Sequence, residues 1–449
     1  MHAPLEQDAG ANARSFDVTH RMVMGIAIPM ALAAVTTPLL GLVDMAVIGQ
    51  FGKAELIGGL AIGALVFDIL FSAFNFLRSG TTGLVAQAMG RGDQVEEQAI
   101  FWRSLVIAIA AGVLMILCVP LFLKGMTWFM HPEPATDAAM RSYVTIRMVS
   151  APFALVNYAV LGLVLGRGEG MLGLSLQFLL NGINIVMSIT LGLLLGWGVT
   201  GVAWGTVTGE VIAAFVGMAV VVMKFRSVPR PGRELIFDPA GMMRMFVLNR
   251  DIMIRSLLLL TAFAFFTRAG SELGPVVLAA NAVLMNFFLV AGFFLDGIAA
   301  AAEQITGRAV GARYRPAFLR GAKLTFLWGV VLAAGISLFF LVFGNAIIRV
   351  MANAADVRAA AAVYLPWAAL TALTGLLAFH MDGVYIGATW SRDMRNMMGL
   401  SLITFFAVLY AVRPLGNHGL WLAINVFLSM RGVTLLAMLP RRLRMEFGF

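Results

Sequence analysis

The sequence predicts an all-α integral membrane protein, with twelve transmembrane helices arranged as two pseudo-twofold-related six-helix bundles. Three observations carry this prediction. Of the 449 residues, 60% are hydrophobic and only 12% are charged, whereas soluble domains carry about 25% charged residues. The apolar residues gather into twelve runs, each close to the roughly 20 residues that cross a bilayer. A segment of the first half also repeats in the second.

In chain order, the opening MHAPLEQDAGANARSF is polar and has no apolar core before a cleavage site. Residues 1–21 are therefore expected to be a cytoplasmic segment, with the first span as its own insertion signal. Spans are expected near 22–48, 55–78, 98–123, 142–166, 170–195 and 200–224, which fill a first lobe, 22–225. A linker, 226–241, within the Pro- and Arg-rich KFRSVPRPGRELIFDPAG divides the chain near its midpoint. The second lobe, 242–440, holds spans near 245–267, 275–300, 318–343, 358–387, 396–413 and 418–438, and 441–449 form a tail. Arg91, Arg167, Lys224, Arg308, Arg392, Arg395 and Arg441 fall in even-numbered connections or the tail. The odd-numbered connections carry fewer bases, so the positive-inside rule puts both termini in the cytoplasm.

The net charge of +9 is thereby explained by topology, and nucleic-acid binding is a poor reading. The single cysteine, Cys118, permits no internal disulfide and no metal cluster. The five histidines show no ligand spacing, and no phosphate-binding loop or Ser-His-Asp signature is visible. Neither enzyme chemistry, nor a cofactor, nor a metal is expected.

Gly59–Arg91 aligns with Val277–Arg308. Leu60, Ala61, Ala64, Ala73, Phe76 and Leu77 fall on Leu278, Ala279, Ala282, Ala291, Phe294 and Leu295. After one skipped residue, Gln87, Gly90 and Arg91 fall on Gln304, Gly307 and Arg308. Both are second helices of a six-helix set, so the repeat is parallel, about an axis along the membrane normal. Transporters are often built this way.

Polar residues inside the spans point to function. Asp44 stands within PLLGLVDMAVIGQFG, on one helical face with Thr37, Leu40, Gly41 and Ile48. An acid there costs a few kcal/mol, so it should face a cavity or a partner. In the fifth span Gln177, Asn181, Asn184 and Ser188 recur three or four apart and share a face; interhelical hydrogen bonding alone also explains such a stripe. Thr206 and Thr208 lie in the sixth span, and Asp68, Ser72 and Asn75 share a face of the second. In the second half Arg255, Asp296, Glu303 and Asp382 form a candidate network, with Arg255 expected to pair with Asp382 or Asp296. Pro29 and Pro38 precede Asp44 in the first span and can each kink it. Met and Phe are abundant, 28 and 33 residues, and some can line a deformable cavity.

The segments VDMAVIGQFG, FLRSGTTGLVAQAMGRGD, NRDIMIRSLLLLTAFAFFTRAG, LAANAVLMNFFLVAGFFLDGIAAAAEQITGRAVGA and MDGVYIGATWSRDMRNMM together resemble the MATE family of multidrug exporters, closest to its DinF-type branch. The resemblance implies two lobes forming a V-shaped central cavity, export by proton or sodium antiport, and a bacterial inner-membrane location. Asp44 matches the family's first-helix acid, Pro29 its bending proline, and Thr206 its sixth-helix threonine. Asn184 and Ser188 fall on the fifth-helix pattern of an Asn followed four residues later by an acid. Ser188 departs from that pattern. The missing carboxylate removes a metal ligand and favours a proton over sodium.

The expected mechanism is protonation of Asp44, loosening of the network with Asn181 and Asn184, and bending of the first helix at Pro29. Thr37 and Gln177 are expected to join Asp44 in contacting substrate, and a fixed anion suggests lipophilic cations. The rivals are a lipid-linked precursor flippase of the same superfamily, a sodium-coupled exporter, and a membrane enzyme. The expected partners are small-molecule drugs or toxic metabolites, protons, possible sodium and membrane lipids, with the chain a monomer.

Overall fold

The computed structural model of the protein describes residues 15–448. Most of the segment expected at 1–21, and the side chain of Asp68, lie outside the described residues. In the bilayer core every backbone N–H and C=O must be satisfied internally, and the chain answers with helices throughout. These are α1 (His20–Gly49), α2 (Ala54–Phe74), α3 (Phe76–Arg91), α4 (Gln94–Leu117), α5 (Val119–Met130), α6 (Pro134–Met148), α7 (Ala151–Gly166) and α8 (Gly170–Met187). A π-helical segment, Ser188–Leu194, continues α8. Then follow α9 (Gly198–Lys224), α10 (Arg233–Ile236), α11 (Pro239–Glu272), α12 (Pro275–Gly311), α13 (Arg315–Met351), α14 (Ala355–Gly387), α15 (Ser391–Ala411) and α16 (Asn417–Phe447).

Among the described residues, eleven helical stretches are long and apolar enough to cross a membrane, or twelve if α6 and α7, bent by 51°, count as one span. The fourth expected span, 142–166, falls on that bent pair. Several helices outrun the expected spans: α12 and α13 each have 37 residues, about 55 Å at 1.5 Å per residue. A rule based on hydrocarbon thickness marks the apolar middle of such a helix and misses its polar continuation. The second expected span, 55–78, runs on through a break at Asn75 as far as Arg91.

Local chemistry sets the ends. Asp93 caps α4 by accepting from the Glu96 N–H at 2.9 Å. Proline occupies the first turn of α5, α6, α7, α12 and α13, where its missing donor costs nothing.

The described chain forms two compact units. Unit 1 is the described part of Met1–Ala31, with Ala86–Gly92 and Val247–Phe449; unit 2 is Leu32–Val85 with Asp93–Phe246. Within unit 1 an aromatic-rich core joins Phe266, Phe287, Phe405, Trp421 and Phe427. Inside it Asn281 and Asn417 exchange amide hydrogen bonds of 2.7 and 2.9 Å, and Trp421 Nε1 donates to Asn281 at 2.9 Å. In unit 2 the linker is tied down. Arg103 on α4 donates to the carbonyls of Leu235 and Ile236 and pairs with Glu96 at 2.8 Å.

Candidate functional site

The polar stripe of the fifth span is held by close helix packing. Along α9, Gly201, Gly205 and Gly209 sit four residues apart. A Cβ on Gly201 would stand 2.5 Å from the Leu191 carbonyl carbon. One on Gly205 would stand 2.6 Å from Ser188 N, and one on Gly209 2.9 Å from Leu180 O. Small residues at this spacing let two backbones meet, and here they press α9 onto α8 and its π-helical continuation. π-helical turns often mark functional sites; this one begins at Ser188.

That contact assembles the expected residues. Asn184 Nδ2 donates to Thr206 Oγ1 at 3.2 Å, and Ser188 Oγ donates to Asn184 Oδ1 at 3.2 Å. Thr206 in turn donates to the Val202 carbonyl at 3.4 Å. Asn181 Nδ2 donates to Thr36 Oγ1 at 2.6 Å, tying α8 to α1. All four are buried, and Asp44 joins them at 8% exposure. Ser188 and Arg147 are near enough to act on the Asp44 carboxyl. Its Oδ1 nevertheless has no hydrogen-bond partner among the described residues. Ser188, Asn184 and Thr206 donate in turn along a chain of bonds that ends at the Val202 carbonyl.

The other expected residues of this half sit outside that chain of bonds. Thr37 is exposed, and its neighbour Thr36 makes the bond to Asn181. Gln177 is half-buried, one α-helical turn before Asn181. Of the prolines in α1, Pro29 is buried and Pro38 exposed, and the helix is continuous through both. Thr208 donates to its own helix, to the Trp204 carbonyl at 2.8 Å.

Sequence reasoning passed over Arg147 and Glu210. Arg147 ends α6, just before the bend, with its guanidinium 4.4 Å from the centre of the Phe67 ring. It donates to Tyr143 Oη at 3.0 Å and stands 4.0 Å from Glu210 on α9. Glu210 Oε2 and Arg147 Nε have no hydrogen-bond partner among the described residues. Both residues interrupt apolar runs, YVTIRMVSAPF and GTVTGEVIAAF, the same signal that marked Asp44.

Unit 1 holds the second polar cluster. Asp382 Oδ2 accepts from Arg255 Nη1 at 2.6 Å, one of the two pairings expected, and from Arg431 Nη2 at 2.7 Å. Arg431, within FLSMRGVTLL of α16, was not foreseen; it is 3% exposed, and its guanidinium lies 5.8 Å from the Phe427 ring centre. Asp296 is exposed and acts on Arg431 through space. Glu303 is buried two turns further along α12. Among the described residues no three His, Cys, Asp or Glu side chains gather as metal ligands do.

Comparison with known proteins bears on the whole chain. The MatE family model matches residues 29–190 and 252–411, one stretch on either side of the linker. The chain is 34% identical over 427 residues to DNA damage-inducible protein F of Escherichia coli, covering 93% of this chain and 92% of that one. It is 24% identical over 450 residues to a probable multidrug resistance protein NorM of Chromobacterium violaceum, covering 94% of each. Among solved structures, an outward-facing multidrug resistance MATE family transporter superposes with a TM-score of 0.86 at 16% identity, covering 96% of this chain and 97% of that one. A MATE crystal structure in a bent conformation gives 0.84 at 16% identity, covering 95% and 96%.

Proposed function

Because the chain belongs to the MATE family, a family of multi-span membrane transporters, we propose that it is a proton-coupled exporter of lipophilic or cationic compounds, with Asp44 as the coupling acid. One observation carries the reading. Asp44 is buried, its Oδ1 is unpartnered among the described residues, and the adjoining donors are committed elsewhere. Ser188 and Arg147 are the groups near enough to act on the carboxyl, and the Ser188 proton already goes to Asn184. A neutral acid fits that position, since its O–H can donate to the Ser188 hydroxyl.

Loss of the proton reverses the demand. The charged acid calls on Ser188 to turn its donor, which takes the Asn184 bond with it, and draws on the cation of Arg147. Asn184, Thr206 and, through Thr36, the wall of α1 then readjust together. Bending of α1 at Pro29 is the motion that follows in this scheme. A proton taken from outside and released inside drives export only if substrate binds the two states unequally. The anion of the deprotonated state favours cationic substrates, with Thr37 and Gln177 at its margins. Ser188 supplies a hydroxyl where a carboxylate would give a metal ion a second charge, which supports a proton over sodium. The moving parts in this proposal are the lobes 22–225 and 242–440, working as a monomer in a bacterial inner membrane with both termini cytoplasmic.

The test is efflux of a cationic dye from proteoliposomes, with proton and sodium gradients imposed separately. Export should follow the proton gradient and vanish in Asp44→Asn. Full-rate proton-driven export by that variant would sink the scheme, and export driven by sodium alone would reassign the ion.

A further inference from the structure

Beyond the transport site, unit 1 holds a basic cavity of about 540 Å³ that the transport scheme does not use. It lies where α14 turns into α15 and is lined by Arg250, Arg392, Arg395 and Arg442, with Asp251 and Thr389. Asp251 is 1% exposed and accepts from Arg395 at 2.8 Å and Arg250 at 3.1 Å. Arg442 pairs with Asp393. Four arginines thus stand against Asp251, Asp393 and Glu446, the last acting on Arg442 and accepting from Trp390 Nε1, an excess of one positive charge. Arg392 is exposed and makes no hydrogen bond or ion pair among the described residues. The first turn of α15 lines the same space with Ser391 and Arg392, while the N–H groups of Asp393 and Met394 already donate to the Trp390 carbonyl. The wall is built rather than loose. Thr389 sits at φ 59, an outlier for a β-branched residue, and Gln87 Nε2 holds its Oγ1 at 3.1 Å and the Gly387 carbonyl at 3.0 Å.

What continues from the cavity identifies the occupant. The exposed face of α15 runs from Arg392 and Asn396 to Leu400, Ile403, Ala407 and Tyr410. Charge at the mouth followed by apolar surface along the same helix is the profile of a headgroup with its acyl chain. We propose that this cavity binds the phosphate headgroup of an anionic phospholipid, whose chain lies along α15. The site sits at the same end of the bundle as the Arg-rich tail, the end that the charge distribution assigns to the anionic leaflet.

The test uses the purified full-length chain in neutral detergent, with the melting midpoint followed as lipid is titrated. Phosphatidylglycerol should raise the midpoint saturably, while phosphatidylcholine and inorganic phosphate should not. Arg392→Gln should weaken the apparent affinity for phosphatidylglycerol by about fivefold, the worth of one basic residue at an anionic surface. Arg250→Gln is a second variant should the first fail to fold. Arg349→Gln, an exposed cation at the far end of α13, should change nothing. The proposal is overturned if inorganic phosphate reproduces the whole shift, if both cavity variants keep wild-type affinity, or if Arg349→Gln loses as much.

Discussion

Replacing Asp382 by Asn would test the unit 1 cluster most sharply. One carboxylate oxygen, Oδ2, accepts from Arg255 at 2.6 Å and Arg431 at 2.7 Å, and the two arginine side chains are 11% and 3% exposed. Asparagine removes the charge and leaves two like charges facing one acceptor. Breaking a buried pair costs about 3–5 kcal/mol. The amide oxygen retains one neutral hydrogen bond, worth about 1 kcal/mol, so the net loss should be about 2–4 kcal/mol. At roughly 2–4 °C per kcal/mol for a unit of some 200 residues, the midpoint should fall by about 4–16 °C. The assay is heating in detergent, clearing by centrifugation, and quantifying the soluble peak by size-exclusion chromatography. The triple variant Arg255→Met, Asp382→Leu, Arg431→Met carries no buried charge, and it should melt above Asp382→Asn despite having two more changes. A single variant within about 2 °C of wild type, or a triple variant no better than the single, would refute the reasoning.

Other expectations follow from the same geometry. Arg147→Gln removes the cation shared by Tyr143, Glu210 and Asp44; proton-driven dye efflux should fall at least tenfold while stability drops by only about 1–3 kcal/mol, since the ion pair is loose. Gly205→Ala puts a methyl against Ser188 and should cost about 1–3 kcal/mol. Gly41→Ala, where nothing lies within 4 Å, should be neutral or slightly stabilising in the same melting assay. Asn281→Leu strands Asn417 and Trp421 and should cost about 1–3 kcal/mol for each group left unsatisfied; adding Asn417→Leu should restore part of the loss rather than deepen it.

The sequence announced the helices because a bilayer leaves the backbone few alternatives, and the apolar runs mark each crossing. It hid their ends, since α12 runs on through Glu303, Gln304 and Arg308, and α13 through Asn345 and Arg349, past the uninterrupted apolar stretch of each. Asp44, Asn181, Asn184, Ser188 and Thr206 were legible because period and polarity coincide on α8 and because an acid among Leu, Val and Met is conspicuous. The partner of Asn181 was not legible: spacing put Thr37 on the Asp44 face, and only the packed helices reveal that Thr36 is the side chain turned toward α8. Arg147, Glu210 and Arg431 carried the same intramembrane signal as Asp44, and a uniform search for ionisable residues in apolar runs would have found them. The tie of Asp382 to two arginines needed three-dimensional contact, because 127 and 49 residues separate the partners.

The glycine row of α9 has a genetic consequence. Every single-base missense change in a glycine codon encodes a larger side chain, so Gly201, Gly205 and Gly209 have no mild one-step neighbours. Random mutagenesis should therefore show a narrow line of intolerance, about two turns long, on a helix whose exposed Trp204, Ile212 and Phe215 drift freely among apolar residues. A deep mutational scan that scored only hydrophobicity would rank those two faces alike; one that scored volume would separate them.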